Sequence, residues 1–159
     1  MKIHGSTTLF ALAIVFAACQ APKEIDIEAE RAAISQVVHN SIEWALDKDT
    51  LKLYDSFVQD ETLFFFQPRD EMVGFSALRE TAETVWLDDR FRATRTDITD
   101  LFVTISESGT VAWFRCKLDD EGEWDGQVSG WYNTRWTGVL EKRDGRWLII
   151  QQHFSFAQT

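Results

Sequence analysis

The strongest constraint on this chain is its closing hairpin, Asn133 to Ser155, in which two β runs flank an Asp144-Gly145 turn. Asp-Gly between two runs of alternating, β-prone residues is among the firmest short-range hairpin signals, because both central turn positions need a positive φ. Each run places an ion-capable side chain, Arg135 in one and His153 in the other, where most neighbours are apolar or aromatic. Burying such groups without partners is costly, so the pair points to a pocket wall rather than a plain core.

The residues upstream of this hairpin divide into helices first and strands afterwards. Ile27, Ile34, Val37, Val38, Ser41 and Ala45 fall on one stripe of a helix over 26–46, with Asp26, Glu28 and Glu30 suited to the dipole at its start. Asp47-Lys48-Asp49 breaks it, and Leu51, Tyr54 and Val58 suggest a second, shorter helix. Leu63 to Phe66 reads as a strand ended by Pro68. Gly74 precedes a third helix, with Ser76 as its expected cap and Leu78, Ala82 and Val85 directed inward. Strands are then expected over 93–106, 110–118, 127–141 and 146–156, joined by turns at 107–109, 119–122 and 144–145. Such an order gives an α+β fold. Read with strict alternation, the last strand sets Trp147, Ile149, Gln151, His153 and Ser155 on one face, and Leu148, Ile150, Gln152, Phe154 and Phe156 on the other. Both faces are largely apolar, which implies that both are covered. Helices cover one, so a homodimer contact through Ile150 and Phe154 is expected on the other.

The first 19 residues are a different material. Lys2 is followed by an apolar run, Leu9 to Ala17, that is too short to span a bilayer, and Ala17-Ala18 then precede Cys19. The run reads as a secretory leader over 1–18, and its Ala-Ala-Cys end resembles a bacterial lipobox, with Phe16 where Leu is usual. The expectation is export to a bacterial cell envelope, a lipid anchor at Cys19, a short linker over 19–25 and one folded domain over 26–159. Lipidation would leave Cys116 unpaired in an oxidising compartment, where its apolar strand makes it a small inert hydrophobe. A formal charge of -10 excludes nucleic acid as a natural partner, since phosphate binding needs a basic face.

Arg135 and Thr137, Asp144-Gly145-Arg146-Trp147, then His153 and Ser155, together with Gly74-Phe75-Ser76-Ala77-Leu78 and the Ala112-Trp113 strand, carry a family resemblance. Across roughly residues 26–156 the chain resembles the SnoaL-like branch of the nuclear transport factor 2-like superfamily. The resemblance implies a cone: a curved antiparallel sheet wrapped around three N-terminal helices and enclosing a pocket. It places Arg135, Thr137, Trp147 and His153 on inward faces. It also implies reactions of the isomerase, dehydratase or cyclase type for some members and none for others.

Chemistry of that type needs a base in an apolar cavity and a donor for the developing oxyanion. His153 is the candidate acid/base, since His39 sits beside Asn40 on the first helix and is expected to face solvent. Arg135 could hold an anionic group, Trp113 and Arg115 share a strand that could join it, and Tyr54 and Trp44 could line the mouth from the helices. For a catalytic Asp, the candidates Asp60, Asp97 and Asp100 each fall near a strand end, and none is singled out. No His/Cys cluster has metal-ligand spacing, no glycine loop suits a phosphate, and no cofactor is expected. Seven tryptophans suit either large core pieces or a cavity walled by aromatics. The leading expectation is therefore an exported, membrane-anchored domain that binds a small apolar or aromatic ligand. An enzyme using His153 is the alternative, and an oligomerisation module without catalysis is the second.

Overall fold

Asp26 opens the first helix by accepting a hydrogen bond from the Ala29 backbone, and Lys48 closes it in a left-handed conformation, φ 52°. The computed structural model describes residues 25–157, so the expected leader and Cys19 lie outside the described residues. Helix α1 (Ile27–Asp47) buries Ile34, Val38, Ser41 and Trp44. Helix α2 (Thr50–Asp55) is capped by the Asp49 carboxylate and turns Leu53 inward, leaving Leu51 exposed. The stripe expected from Leu51, Tyr54 and Val58 is therefore corrected to Leu53 and, just beyond the helix, Phe57 and Val58.

Strands β1 (Phe64–Phe66) and β2 (Glu71–Val73) form a small hairpin, of which the second strand was not expected. Helix α3 (Phe75–Thr81) begins at Gly74, φ 82°, and no side chain caps it, so Ser76 is not the cap. It runs into a π turn, Ala82–Trp86. The extra residue in such a turn shifts the helical phase. Ala82 stays buried, Val85 rotates to the surface, and Trp86 is brought against the core in its place.

Four long strands follow: β3 (Phe91–Ile105), β4 (Val111–Trp124), β5 (Gln127–Arg143) and β6 (Arg146–Ser155). The sheet order is β2-β1-β6-β5-β4-β3. It is mixed rather than wholly antiparallel, because β1 runs parallel to β6. The turn expected at 119–122 is instead continuous strand, and the chain reverses at Asp125-Gly126, φ 49° and 76°. Cross-strand partners explain the difference: Arg92 pairs with Glu123, Arg95 with Asp119, and the Thr96 hydroxyl with Asp120. The Asp144-Gly145 turn, φ 51° and 79°, forms where its sequence predicts.

Two bulges decide which side chains meet the helices. On β6 the pairing steps from Val139↔Gln151 to Leu140↔Ile149, so Ile150 is an extra residue. On β5 it steps from Leu118↔Thr134 to Asp120↔Trp131, with Asn133 at φ 49°. Each extra residue inverts the alternation beyond it. Trp147 and Ile149 therefore share the helix-facing side with Gln152 and Phe154, and Trp131 joins Thr134 and Trp136 there. The expected two-faced reading of β6 is corrected accordingly. Phe154 stacks on Trp136 inside the core, with ring centroids 5.3 Å apart, and is not available to a subunit contact.

Candidate functional site

Between the helices and the sheet lies a cleft of about 590 Å³. Trp131 and Phe154 line its sheet side, and an aromatic series continues from them into the core beneath. Phe114 meets Trp136 edge-on at 5.0 Å, Trp136 stacks on Phe154, and Phe154 meets Trp131 at 5.3 Å. Gly138 makes room for this: a Cβ there would lie 2.4 Å from the Phe114 ring. From the helices, Trp44 and Trp86 pack edge to face at 5.9 Å and both line the cleft.

Two polar side chains stand out in these walls. Asp120, on β4, is half-buried and accepts a 2.9 Å hydrogen bond from Thr96. Burial pushes its carboxyl above the usual range, and the Thr96 bond offsets this only in part. At the other end Gln152 is 2% exposed and accepts a 2.6 Å hydrogen bond from the Trp136 indole. The one basic side chain in the lining is Arg69, exposed on the loop between β1 and β2. An apolar cavity with a carboxyl held toward its neutral form can bind neutral aromatic molecules and exchange a proton with them.

The residues expected at the site fall in several places. Trp44 lines the cleft. Tyr54 does not; it is half-buried and packs edge-on against Phe75 at 5.6 Å, where burial raises its phenol's pKa. His153, Arg135, Trp113 and Arg115 lie on the opposite, outward face of the sheet, a correction that follows from the bulge at Ile150 and the phase of β5. The register aligns Phe66, His153, Thr137, Arg115 and Phe102 in one row across five strands. In that row His153 meets the Phe66 ring at 5.8 Å and the Arg115 guanidinium lies 4.9 Å over Phe102. Trp113 and Arg115 line a shallow groove of about 350 Å³ there. Arg135 donates to the Phe156 carbonyl. Trp147, by contrast, is inward, and its indole donates to Glu30 at 2.6 Å.

His39 is paired with Glu43 on α1 at 2.6 Å. None of the three Asp candidates reaches the cleft: Asp60 binds Thr62 and Arg143, Asp97 pairs with Arg95, and Asp100 sits exposed in a bulge at φ 55°. Cys116 is buried and its thiol is pushed up to about 12, which keeps it inert at neutral pH. Among the described residues no three His, Cys, Asp or Glu side chains are grouped to hold a metal ion. Asp120 was missed because Asp119 to Gly122 looks like a turn. The usable signal was the spacing of Phe114, Cys116, Leu118 and Asp120, which extends a buried alternation by one step.

The family model for the SnoaL-like domain matches residues 34–159. The chain belongs to the SnoaL-like domain family. Its fold is nuclear transport factor 2-like, as in solved structures that it resembles at low identity. A Salmonella enterica nuclear transport factor 2-like superfamily protein is 16% identical, with a TM-score of 0.68 over 83% of this chain and 94% of that one. A Mycobacterium tuberculosis protein of unknown function is 20% identical, with a TM-score of 0.68 over 83% of this chain and 79% of that one. A proposed scytalone dehydratase from Novosphingobium aromaticivorans is 17% identical, with a TM-score of 0.67 over 82% and 86%. At such identities the likeness establishes the fold alone. No curated protein sequence matches the chain.

Proposed function

We propose that this SnoaL-like domain binds a small, neutral, apolar to aromatic molecule in the cleft between its helices and its sheet. The observation that carries this reading is a cleft of about 590 Å³ with three tryptophans, Trp44, Trp86 and Trp131, in its walls. Aromatic walls supply large contact areas at small conformational cost, and a volume of this order suits a ligand of two or three fused rings. The lack of a paired cation deep in the cleft favours a neutral ligand, since an anion there would be desolvated without compensation. The test is a thermal-shift panel of neutral aromatic hydrocarbons, phenols and ketones. At least one should raise Tm, Trp86→Ala and Trp131→Ala should diminish the rise, and Trp113→Ala should not. A panel without any shift, or a shift that depends on Trp113, rejects the reading.

A second reading, an isomerase, dehydratase or cyclase, is favoured by Asp120. A carboxyl whose pKa burial raises is suited to take a proton from an enolisable ligand and return it. In that reading the proton-carrying group is Asp120 rather than His153, which faces away from the cleft. The same proposal places the mature domain in a bacterial cell envelope, tethered through a lipidated Cys19, and pairs two copies through the outward sheet face. Cys19→Ser should move the protein from the membrane fraction to the soluble one, and unchanged partitioning would reject the anchor.

A further inference from the structure

We infer that Gln152 is the specificity-determining residue at the inner end of the cleft, and that its side-chain N–H groups select ligands bearing a neutral oxygen acceptor such as a ketone. This rests on the proposal that the cleft binds a ligand, and adds which chemical group is read there and by what.

Trp136 anchors the Gln152 side chain. An indole N–H can donate but never accept, so its 2.6 Å contact to Gln152 must be made to the amide oxygen. That fixes the orientation of the amide, which is otherwise ambiguous between its two ends. Trp136 is itself held rigidly, fully buried, stacked on Phe154 and met edge-on by Phe114. The Gln152 Nε2 is left with two hydrogens, and among the described residues nothing accepts them. Yet it is not a sealed, orphaned atom: the one side-chain polar atom fully buried without a partner among the described residues is the Thr134 hydroxyl. Nε2 therefore keeps access to the cleft that Gln152 lines.

Its surroundings narrow the class further. Leu53, Phe57, Phe65 and Leu78 line the same end, and all are buried. Ser41 also lines the cleft, its hydroxyl hydrogen committed to the Val38 carbonyl at 2.8 Å, and the half-buried Gln67 amide lies two residues beyond Phe65. Gln152 is thus the fully buried amide of the lining, whereas the charged Arg69 and Asp70 stand exposed on the loop between β1 and β2. A hydrogen-bond donor in an apolar, water-poor setting favours a ligand acceptor strongly over an isosteric hydrocarbon, because without it the donor is left unpaired. Asp120 cannot supply this selection. Gln152 pairs with Gly138, and Gly138 with Phe114, six residues along β4 from Asp120, so the two polar groups serve different ends of the cleft.

The experiment compares two probes of nearly equal shape, 2-acetylnaphthalene and 2-isopropylnaphthalene, by quenching of tryptophan fluorescence in the full-length protein and in Gln152→Leu. The substitution should weaken the ketone about tenfold relative to the hydrocarbon, the equivalent of one neutral hydrogen bond, while hydrocarbon affinity stays within about twofold. Because Gln152→Leu also removes Trp136's acceptor and could loosen the fold, a second measurement uses the unmodified protein. The Gln152 side-chain amide proton resonances should move downfield with the ketone and stay in place with the hydrocarbon. If both probes bind but the ketone-to-hydrocarbon ratio is unchanged by the substitution, or the amide protons respond alike to both, the role of Gln152 is overturned and the ligand-binding cleft stands. If neither probe binds the wild-type protein, both fall.

Discussion

Asp120 shows how a carboxyl drawn out of water costs stability. Its pKa rises on folding because burial penalises the charged form. Below the usual Asp value both folded and unfolded chains hold the proton, and nothing is lost. As pH rises from that value through the raised folded pKa, the unfolded chain releases its proton first and the native state is destabilised. Asp120→Asn keeps an acceptor for Thr96 and removes that term. Urea midpoints should then be closer for the two proteins at acid pH, with the variant increasingly the more stable toward neutral pH. A variant no more stable at neutral pH would place Asp120 in solvent. Thr134 is a second residue with a cost, since its hydroxyl is fully buried with no partner among the described residues. Thr134→Val should stabilise the domain by about 1 kcal/mol in urea unfolding, whereas a loss would reveal a partner for the hydroxyl.

At the scale of elements, the bulges at Ile150 and Asn133 explain what could and could not be read in advance. The helices-then-strands order, the Asp144-Gly145 turn and the α1 stripe were legible because each depends on local chemistry: capping, positive φ and period. The inward set was not. Strict alternation from Trp147 puts His153 on the inward face, but Ile150 inverts the phase of β6. Arg135, placed inward by the family resemblance, stands one step out of phase with the buried Thr134 and Trp136, and Asn133 inverts β5 only beyond them, toward Trp131. Ile150 carries no local signal for a bulge, since neither Gly nor Pro is near it, and Asn133 gives only the weak signal of a residue that tolerates a left-handed conformation. The π turn before Trp86 is the helical counterpart of the same difficulty. Contacts between distant elements are also beyond pattern reading. Glu30 on α1 accepts from Lys142 and Trp147 across the closing hairpin, and these bonds hold its carboxyl below the usual range. Glu30→Ala should cost about 2 kcal/mol near neutral pH, the scale of hydrogen bonds to a charged group. A lowered folded pKa contributes stability above the unfolded value and loses it as pH falls through the folded one. The gap between wild type and variant should therefore narrow in acid, as chemical denaturation at several pH values would show.

For the whole molecule, the sheet has two faces with different occupants. One lines the cleft with Trp131 and Phe154, and the other exposes Phe66, Phe102 and Trp113 beside His153 and Arg115. An apolar surface of this kind on an otherwise acidic domain suits a second copy of the chain. Sedimentation should show a dimer that Trp113→Glu converts to monomer, and a monomeric wild type would contradict the pairing. Ligand binding in the cleft on the other face is tested most directly by the tryptophan indole N–H resonances. Titrating 2-acetylnaphthalene into the labelled protein should shift the indole signals of Trp44, Trp86 and Trp131, which line the cleft, and leave that of Trp113 unmoved. A shift confined to Trp113, or no shift in any of the four, would contradict it.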